Sequence, residues 1–519
     1  MPKRWTSVAL LSCVVGLGGC EGPGNFGGGG VGGGYEVGGG GPDPARPQAD
    51  EAGGAGGGTA AGTGGQGDPA AVCGLSTFDF APVQSHRLAS PTFALAAVLS
   101  NAWPDNVEVD GLKREEFLTF FAAPTSGDLL GSAGYGRLRT DDQGKLVMDA
   151  FVAEPPATFG DPVPVHLVVV VDTSSSMRND LSFAANVVEK LATGLGSKDA
   201  ISFVEWGGTA TLFQSGKTSV FEAGPNATDA AATFEQHLIE LANGQLGPGG
   251  SLTTASQVVE DAMVSNPDGQ QVPDPQHAQH VVLLTDGGMV PDAATLGAIG
   301  RWRRQGALVS FAEIQGALNP DESPMALGSF HADLLEQLSV QAGGLTLVLT
   351  PANVSVLDSF DMLFRPASRA ARFAMSSTDV VEFEAPAFGL ATTGDRTGAT
   401  SEPQGTWLPL GRPAFFSGAV SLCHSDAAQA TVTIEATGDH PLPDKVSVTG
   451  AFADPDQDPR LTRLGIVDLV YDQFVAGCPA DLTMFDTLAG LVNQLPDTDA
   501  GYQSLRQLVG AMKTACGGG

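Results

Sequence analysis

A doubly wound, mostly parallel α/β sheet inserted in a β-sandwich, with a small helical bundle after it, is the architecture this 519-residue chain predicts. Three observations carry that expectation. The segment His166-Leu-Val-Val-Val-Val-Asp172 is an apolar run ending in a carboxylate, and a strand apolar at successive positions must be covered on both faces. Strand-like and helix-like segments then alternate through 165–352, the pattern that builds a parallel sheet from βαβ units. On either side, at 73–164 and 353–452, short β-rich segments are broken by turns, and 453–519 has a helical pattern.

Taken in order, residues 1–20 read as an export signal. Lys3 and Arg4 precede an apolar stretch from Val8 to Leu17, too short for a membrane span, which needs about 20 apolar residues. The stretch ends in Leu17-Gly18-Gly19-Cys20, which resembles the lipobox of bacterial lipoproteins. That resemblance implies cleavage before Cys20 and a lipid on the cysteine, hence a membrane anchor in the cell envelope. Residues 21–72 are glycine-rich with almost no large apolar side chain, so nothing there offsets the entropy of ordering the backbone. A flexible tether of roughly 50 residues has an r.m.s. span of about 40 Å.

The first part of the sandwich is expected over 73–164, interrupted by one helix at Arg114–Phe121. Beyond the 166–171 strand, Met177, Leu181, Ala184, Val188, Leu191 and Leu195 recur at three- and four-residue steps, which puts them on one face of a helix. Strands are expected at Ile201–Trp206, Ala210–Phe213, Val281–Leu284, Leu308–Glu313 and Leu345–Leu349. Helices are expected near Asp229–Leu241, Ala255–Met263, Ala293–Arg303 and Phe330–Gln341. Strands at Val380–Phe383, Ala419–Cys423, Ala430–Glu435 and Lys445–Val448 complete the sandwich, and Arg460–Lys513 forms the bundle.

Lys and Arg number 26 against 58 Asp and Glu, a formal charge of −32. Such a surface repels a polyanion, which argues against nucleic-acid binding.

Chemistry concentrates where the apolar runs end. Asp172, Ser174 and Ser176 place one carboxylate and two hydroxyls on a tight turn at a strand's C-terminal end, the end at which open α/β sheets bind ligands. Ser and Asp are also favoured helix caps, so this segment alone is compatible with a capped turn. Two further segments add to it: Val281-Val-Leu-Leu-Thr285-Asp286-Gly287, again an apolar run ending in a carboxylate, and the loop Pro248-Gly249-Gly250-Ser251-Leu252-Thr253-Thr254. Oxygen ligands from several loops suit a hard divalent cation.

Together the three segments resemble the metal-ion-dependent adhesion site of von Willebrand factor type A domains. The resemblance implies that Asp172, Ser174, Ser176, Thr253 and Asp286 hold a divalent cation, magnesium first, with manganese or calcium as alternatives. It also implies that an acidic side chain of a protein partner completes the coordination. Thr253 stands one residue later than the family's usual spacing, and Ser251 and Thr254 are its alternatives. The order of sandwich, inserted unit, sandwich and helices over roughly 85–515 resembles a family of bacterial exported lipoproteins carrying such a domain; Ser90-Pro-Thr-Phe-Ala-Leu and Arg114-Glu-Glu-Phe add to that likeness.

Of six cysteines, Cys13 leaves with the signal and Cys20 carries the lipid. Cys73, Cys423, Cys478 and Cys516 allow three disulfide pairings in an exported chain; pairing within each expected domain joins Cys73 to Cys423 and Cys478 to Cys516. His277-Ala-Gln-His280 is expected as solvated loop histidines, Asp454-Pro-Asp456-Gln-Asp458 as an acidic turn, and Gly216-Lys217-Thr218 as a turn. No Gly-x-Ser-x-Gly and no His-Glu-x-x-His occurs, so the chain is expected to bind rather than catalyse. An adhesion or scaffold role leads. The alternative is an envelope assembly or stress factor that acts through the sandwich or C-terminal helices and keeps a structural metal.

Overall fold

The computed structural model describes residues 76–82, 86–100, 102–104, 112–121, 133–140, 146–153, 163–244, 246–250, 252–265, 277–286, 293–315, 343–377, 380–384, 390–392, 406–409, 414–422, 429–437, 446–451, 459–495 and 500–517. The leader with Cys20, the glycine-rich stretch, Cys73, Cys423, Ser251, the expected helix at 330–341 and the acidic turn at 454–458 lie outside them.

In chain order the elements before the central strand are β1 (Ser76–Pro82), β2 (His86–Arg87), α1 (Ala89–Leu99), α2 (Arg114–Phe121), β3 (Ala133–Thr140) and β4 (Leu146–Ala153). The α/β unit then runs β5 (Val165–Asp172), α3 (Leu181–Thr193), β6 (Ala200–Trp206), β7 (Ala210–Leu212), β8 (Phe221–Glu222), α4 (Pro225–Asn243), α5 (Leu252–Val264), β9 (Ala278–Thr285), α6 (Ala293–Arg304), β10 (Leu308–Ile314), β11 (Gly343–Leu349) and the short α7 (Phe360–Phe364). Strands β12 (Pro366–Ser377), β13 (Val380–Glu384), β14 (Leu390–Thr392), β15 (Thr406–Pro409), β16 (Ala414–Leu422), β17 (Gln429–Thr437) and β18 (Val446–Ala451) follow. Helices α8 (Pro459–Ala476), α9 (Thr483–Val492) and α10 (Ala500–Gly517) close the chain.

The α/β sheet has the order β2-β11-β10-β9-β5-β6-β7, with β8 also on β6. All pairings are parallel except those of β7 and β8, which makes it a doubly wound α/β sheet. Alternation along β5 explains its unbroken apolar run. Leu167, Val169 and Val171 enter one core with α3 and α4, whereas Val168 and Val170 enter another with α5 and α6. Both faces are therefore dry, and every residue of β5 is buried.

Strands from both sides of this unit share a second sheet of ten, in the order β13-β16-β4-β3-β18-β17-β12-β1-β14, with β15 on β12. Its pairings are antiparallel apart from β18 on β3.

Two parts differ from the expected layout. Residues 86–99, read from sequence as sandwich, instead extend the α/β unit: β2 pairs with β11, and the Thr92 hydroxyl accepts the Val348 amide at 2.9 Å. The C-terminal helices are not a bundle apart, because Leu464, Val467, Leu505 and Leu508 share one core with α1, α2 and β5. Glu116 of α2 accepts the Ser90 amide at 2.8 Å, filling a donor that the start of α1 leaves open. Arg114 reaches Asp472 at 2.6 Å and Asp468 at 3.3 Å on α8 and lies over the Tyr471 ring. Cys478 and Cys516 are bonded, joining the residues before α9 to the end of α10. No helix among the described residues is long and apolar enough to cross a membrane.

His280 is a correction. It is not a loop residue, since β9 starts at Ala278, and it is fully buried. His280 Nδ1 faces the Phe364 carbonyl, which can only accept, so the ring proton is on Nδ1; Nε2 then accepts from the Ser310 hydroxyl at 2.6 Å, which itself accepts the Leu345 amide at 2.7 Å. Burial pushes the imidazole down from 6.5 to about 4. Its protonation is thus easier in the unfolded chain, and the stability present above pH 6.5 is lost as pH falls towards 4. Between pH 7 and 5 this group should remove about 2 kcal/mol. Urea unfolding of His280→Gln at both pH values should show a drop smaller by that amount; an equal drop would contradict the assignment. His277, by contrast, is part-exposed, beside the Lys198 carbonyl.

Candidate metal centre

The chain leaves β5 on one side to form β6 and returns on the other to form β9, so the sheet's topological switch lies at β5. Ligands bind at such points, outside the strands' C-terminal ends. Asp172 is the last residue of β5, and Asp286 follows Thr285, the last residue of β9.

The local turn is built by the backbone. The Thr173 amide donates to the Trp206 carbonyl at 2.6 Å, one step beyond the β5–β6 ladder. The Ser174 amide instead bends back to Asp172 Oδ1 at 2.8 Å, an Asx-type turn that leads into a 3-10 helix at Ser175–Asn179. Arg178 fixes that helix by donating to the carbonyls of Ala242 and Gly244 at the end of α4. Ser174 occupies the cap position but makes no capping hydrogen bond. Its hydroxyl lies 2.9 Å from that of Ser176, so the capped-turn reading does not account for these side chains.

On the same face, the Thr285 hydroxyl donates to Asp172 Oδ2 at 3.1 Å. The ladder explains it: Val171 pairs with Leu284, which sets Thr285 beside Asp172. Sequence reading missed this residue, although its place before Asp286 at a strand's end was the available signal. Asp172 is buried, and burial pushes its carboxyl up. The hydrogen bonds from Ser174 and Thr285 pull it down, and the nearby charge of Asp286 raises it again. A divalent cation relieves both the desolvation and the repulsion between the carboxylates.

The glycine loop forms the third wall. Gly247 bridges to Ser174, and Gly249 lies against the Ser174 side chain. At Gly250 a Cβ would sit 1.9 Å from the Gly207 carbonyl oxygen, so only glycine fits. Gly250→Ala must therefore push the loop off Gly207 and Ser174, at a cost of about 1–3 kcal/mol. Urea unfolding should show that loss; an unchanged midpoint would contradict the packing.

Helix α5 starts at Leu252 rather than near Ala255, so Thr253 stands in its first turn, exposed, and not in the loop. The Thr254 hydroxyl lies against Gly250. The structure thus gathers Asp172, Ser174 and Ser176 with Asp286 beside them, and brings Thr254 to the loop that covers them. Among the described residues no group of three or more His, Cys, Asp or Glu could hold a metal; the donors at the switch point are two carboxylates and hydroxyls, which fit a hard cation and not a soft one. Gly216-Lys217-Thr218 is a tight turn, Gly216 at φ +70° and Ser215 bridged to Thr218.

Among solved structures, the chain is similar to a von Willebrand factor type A protein from Catenulispora acidiphila, at 13% identity and a TM-score of 0.36, covering 73% of this chain and 86% of that one. It is also similar to the ArnB paralog VWA2 from Sulfolobus acidocaldarius, at 11% identity and a TM-score of 0.35, covering 74% and 98%. A third is the manganese-loaded TRAP protein of Plasmodium vivax, at 10% identity and a TM-score of 0.27, covering 62% and 98%. No protein-family model matches the sequence, and no curated protein does.

Proposed function

We propose that this chain is a membrane-tethered adhesion or scaffold protein that captures an acidic side chain of a protein partner through a divalent cation, magnesium foremost. Asp172, Ser174, Ser176 and Asp286 hold the ion, with a hydroxyl from Thr253 or its neighbour Thr254. The observation that carries the reading is the buried Asp172 carboxylate, repelled by Asp286 and set beside the paired hydroxyls of Ser174, which makes no cap bond, and Ser176. The bound cation supplies a positive centre for a carboxylate. Ser174 pairs with Ser176 rather than with an imidazole, which supports binding over turnover. Attachment to the envelope rests on the lipobox-like Leu17-Gly18-Gly19-Cys20, and reach on the glycine-rich stretch after it.

The test is retention of envelope proteins on the immobilised chain in magnesium. A partner released by chelator and absent with Asp172→Ala supports the reading, and one held equally under all three conditions overturns it. A second reading, action through the C-terminal helices with a structural metal, is favoured by one observation. Leu469, Val475, Leu482 and Met484 are 37–49% exposed there. It requires a partner indifferent to chelator and lost when those four residues are made polar.

A further inference from the structure

Between the edge strand β7 and helix α4 lies an open cleft of about 730 Å³, distinct from the metal cradle. Its floor is apolar. Leu212 and Phe213 line it together with Phe234; the Phe213 and Phe234 rings are 5.2 Å apart, and Phe203 stacks behind Phe234 at 5.1 Å. Its rim is acidic: Glu205 from β6 and Glu240 from α4 face it, and no lysine or arginine is among the lining residues. Glu205 Oε2 lies 2.9 Å from His237 Nε2, and Glu240 accepts the Gln236 amide at 3.1 Å.

The volume suits a small organic molecule, for which sites run about 300–1,000 Å³. An anion would meet two carboxylates on a chain of formal charge −32. A neutral apolar molecule would use the floor and gain nothing from the rim. An ammonium group uses both, since a carboxylate accepts its protons in charge-assisted bonds and an aromatic face attracts the cation.

We propose that this cleft binds amphipathic organic amines, with the ammonium group replacing His237 as the donor to Glu205 and the apolar body lying on Phe213 and Leu212.

Calorimetric titration of the full chain in chelator, where the metal centre plays no part, tests this with 2-phenylethylammonium, hexylammonium and neutral 2-phenylethanol. Both ammonium ions should bind saturably, and the alcohol about tenfold or more weaker, as expected when a hydrogen bond to a charged group is lost. Glu205→Gln should weaken the ammonium ions by about the same factor and leave the alcohol unchanged. Ala232→Trp, at an exposed position on the cleft wall, should block all three and serves if Glu205→Gln unfolds. No saturable ammonium binding, equal affinity for amine and alcohol, or undiminished amine binding in a folded variant would each overturn the proposal.

Discussion

Asp199→Ala should cost the fold about 3–5 kcal/mol, the range for leaving a buried charge without its partner. Asp199 and Arg365 are 1% and 5% exposed and form a two-pronged pair, Nη1 to Oδ1 at 2.9 Å and Nη2 to Oδ2 at 2.6 Å. The same carboxylate accepts the amides of Val165 at 2.9 Å and Gly196 at 2.7 Å. Val165 begins β5, and Arg365 stands just before β12. One side chain thus clamps the chain where it enters the α/β unit and where it leaves for the second sheet. Alanine strands a guanidinium and two amides at once. Arg365→Ala leaves the carboxylate with two backbone donors and should cost less. Urea unfolding of both variants checks the order; a loss below about 1 kcal/mol for Asp199→Ala, the size of an exposed pair, would contradict the clamp.

None of this pair was legible in the sequence, because its partners are 166 residues apart and neither belongs to a periodic pattern. What periodicity encodes was legible. The β5 run, β10 and α6 lie within one residue of their expected bounds, whereas α3 starts at Leu181, four residues after Met177, which belongs to the 3-10 turn before it; burial on one or both faces writes itself into local spacing. The carboxylates Asp172 and Asp286 stood out for the same reason, each ending an apolar run. Thr253 was harder: Leu252 is fully buried and starts the helix early, which a loop of small residues does not reveal. His280 misled because a polar residue at a strand's start looks like loop until its neighbour, Ser310, is known. The docking of α8–α10 on α1 and α2 depends on pairs such as Arg114 with Asp472, far apart in sequence.

Asp172→Asn should lower divalent affinity at least about 100-fold, more than removal of a second-sphere partner usually does. Asparagine keeps the shape of the side chain and an oxygen for the Ser174 amide; Thr285 can turn its hydroxyl to accept from the new amide. What disappears is the charge, which burial and Asp286 disfavour in the protein without a cation. In chelator the variant should therefore unfold no more readily than the native chain. In magnesium at about 100 times its dissociation constant the native chain should gain about 2.7 kcal/mol, and the variant at most about 0.4 kcal/mol.

Calorimetric titration of magnesium and manganese into the native chain and into Asp172→Asn addresses the cation site most directly. Saturable binding at one site by the native chain, and binding at least about 100-fold weaker by the variant, is the expected result. Equal binding by both, or none by either, would contradict a cation held by Asp172 at the end of β5.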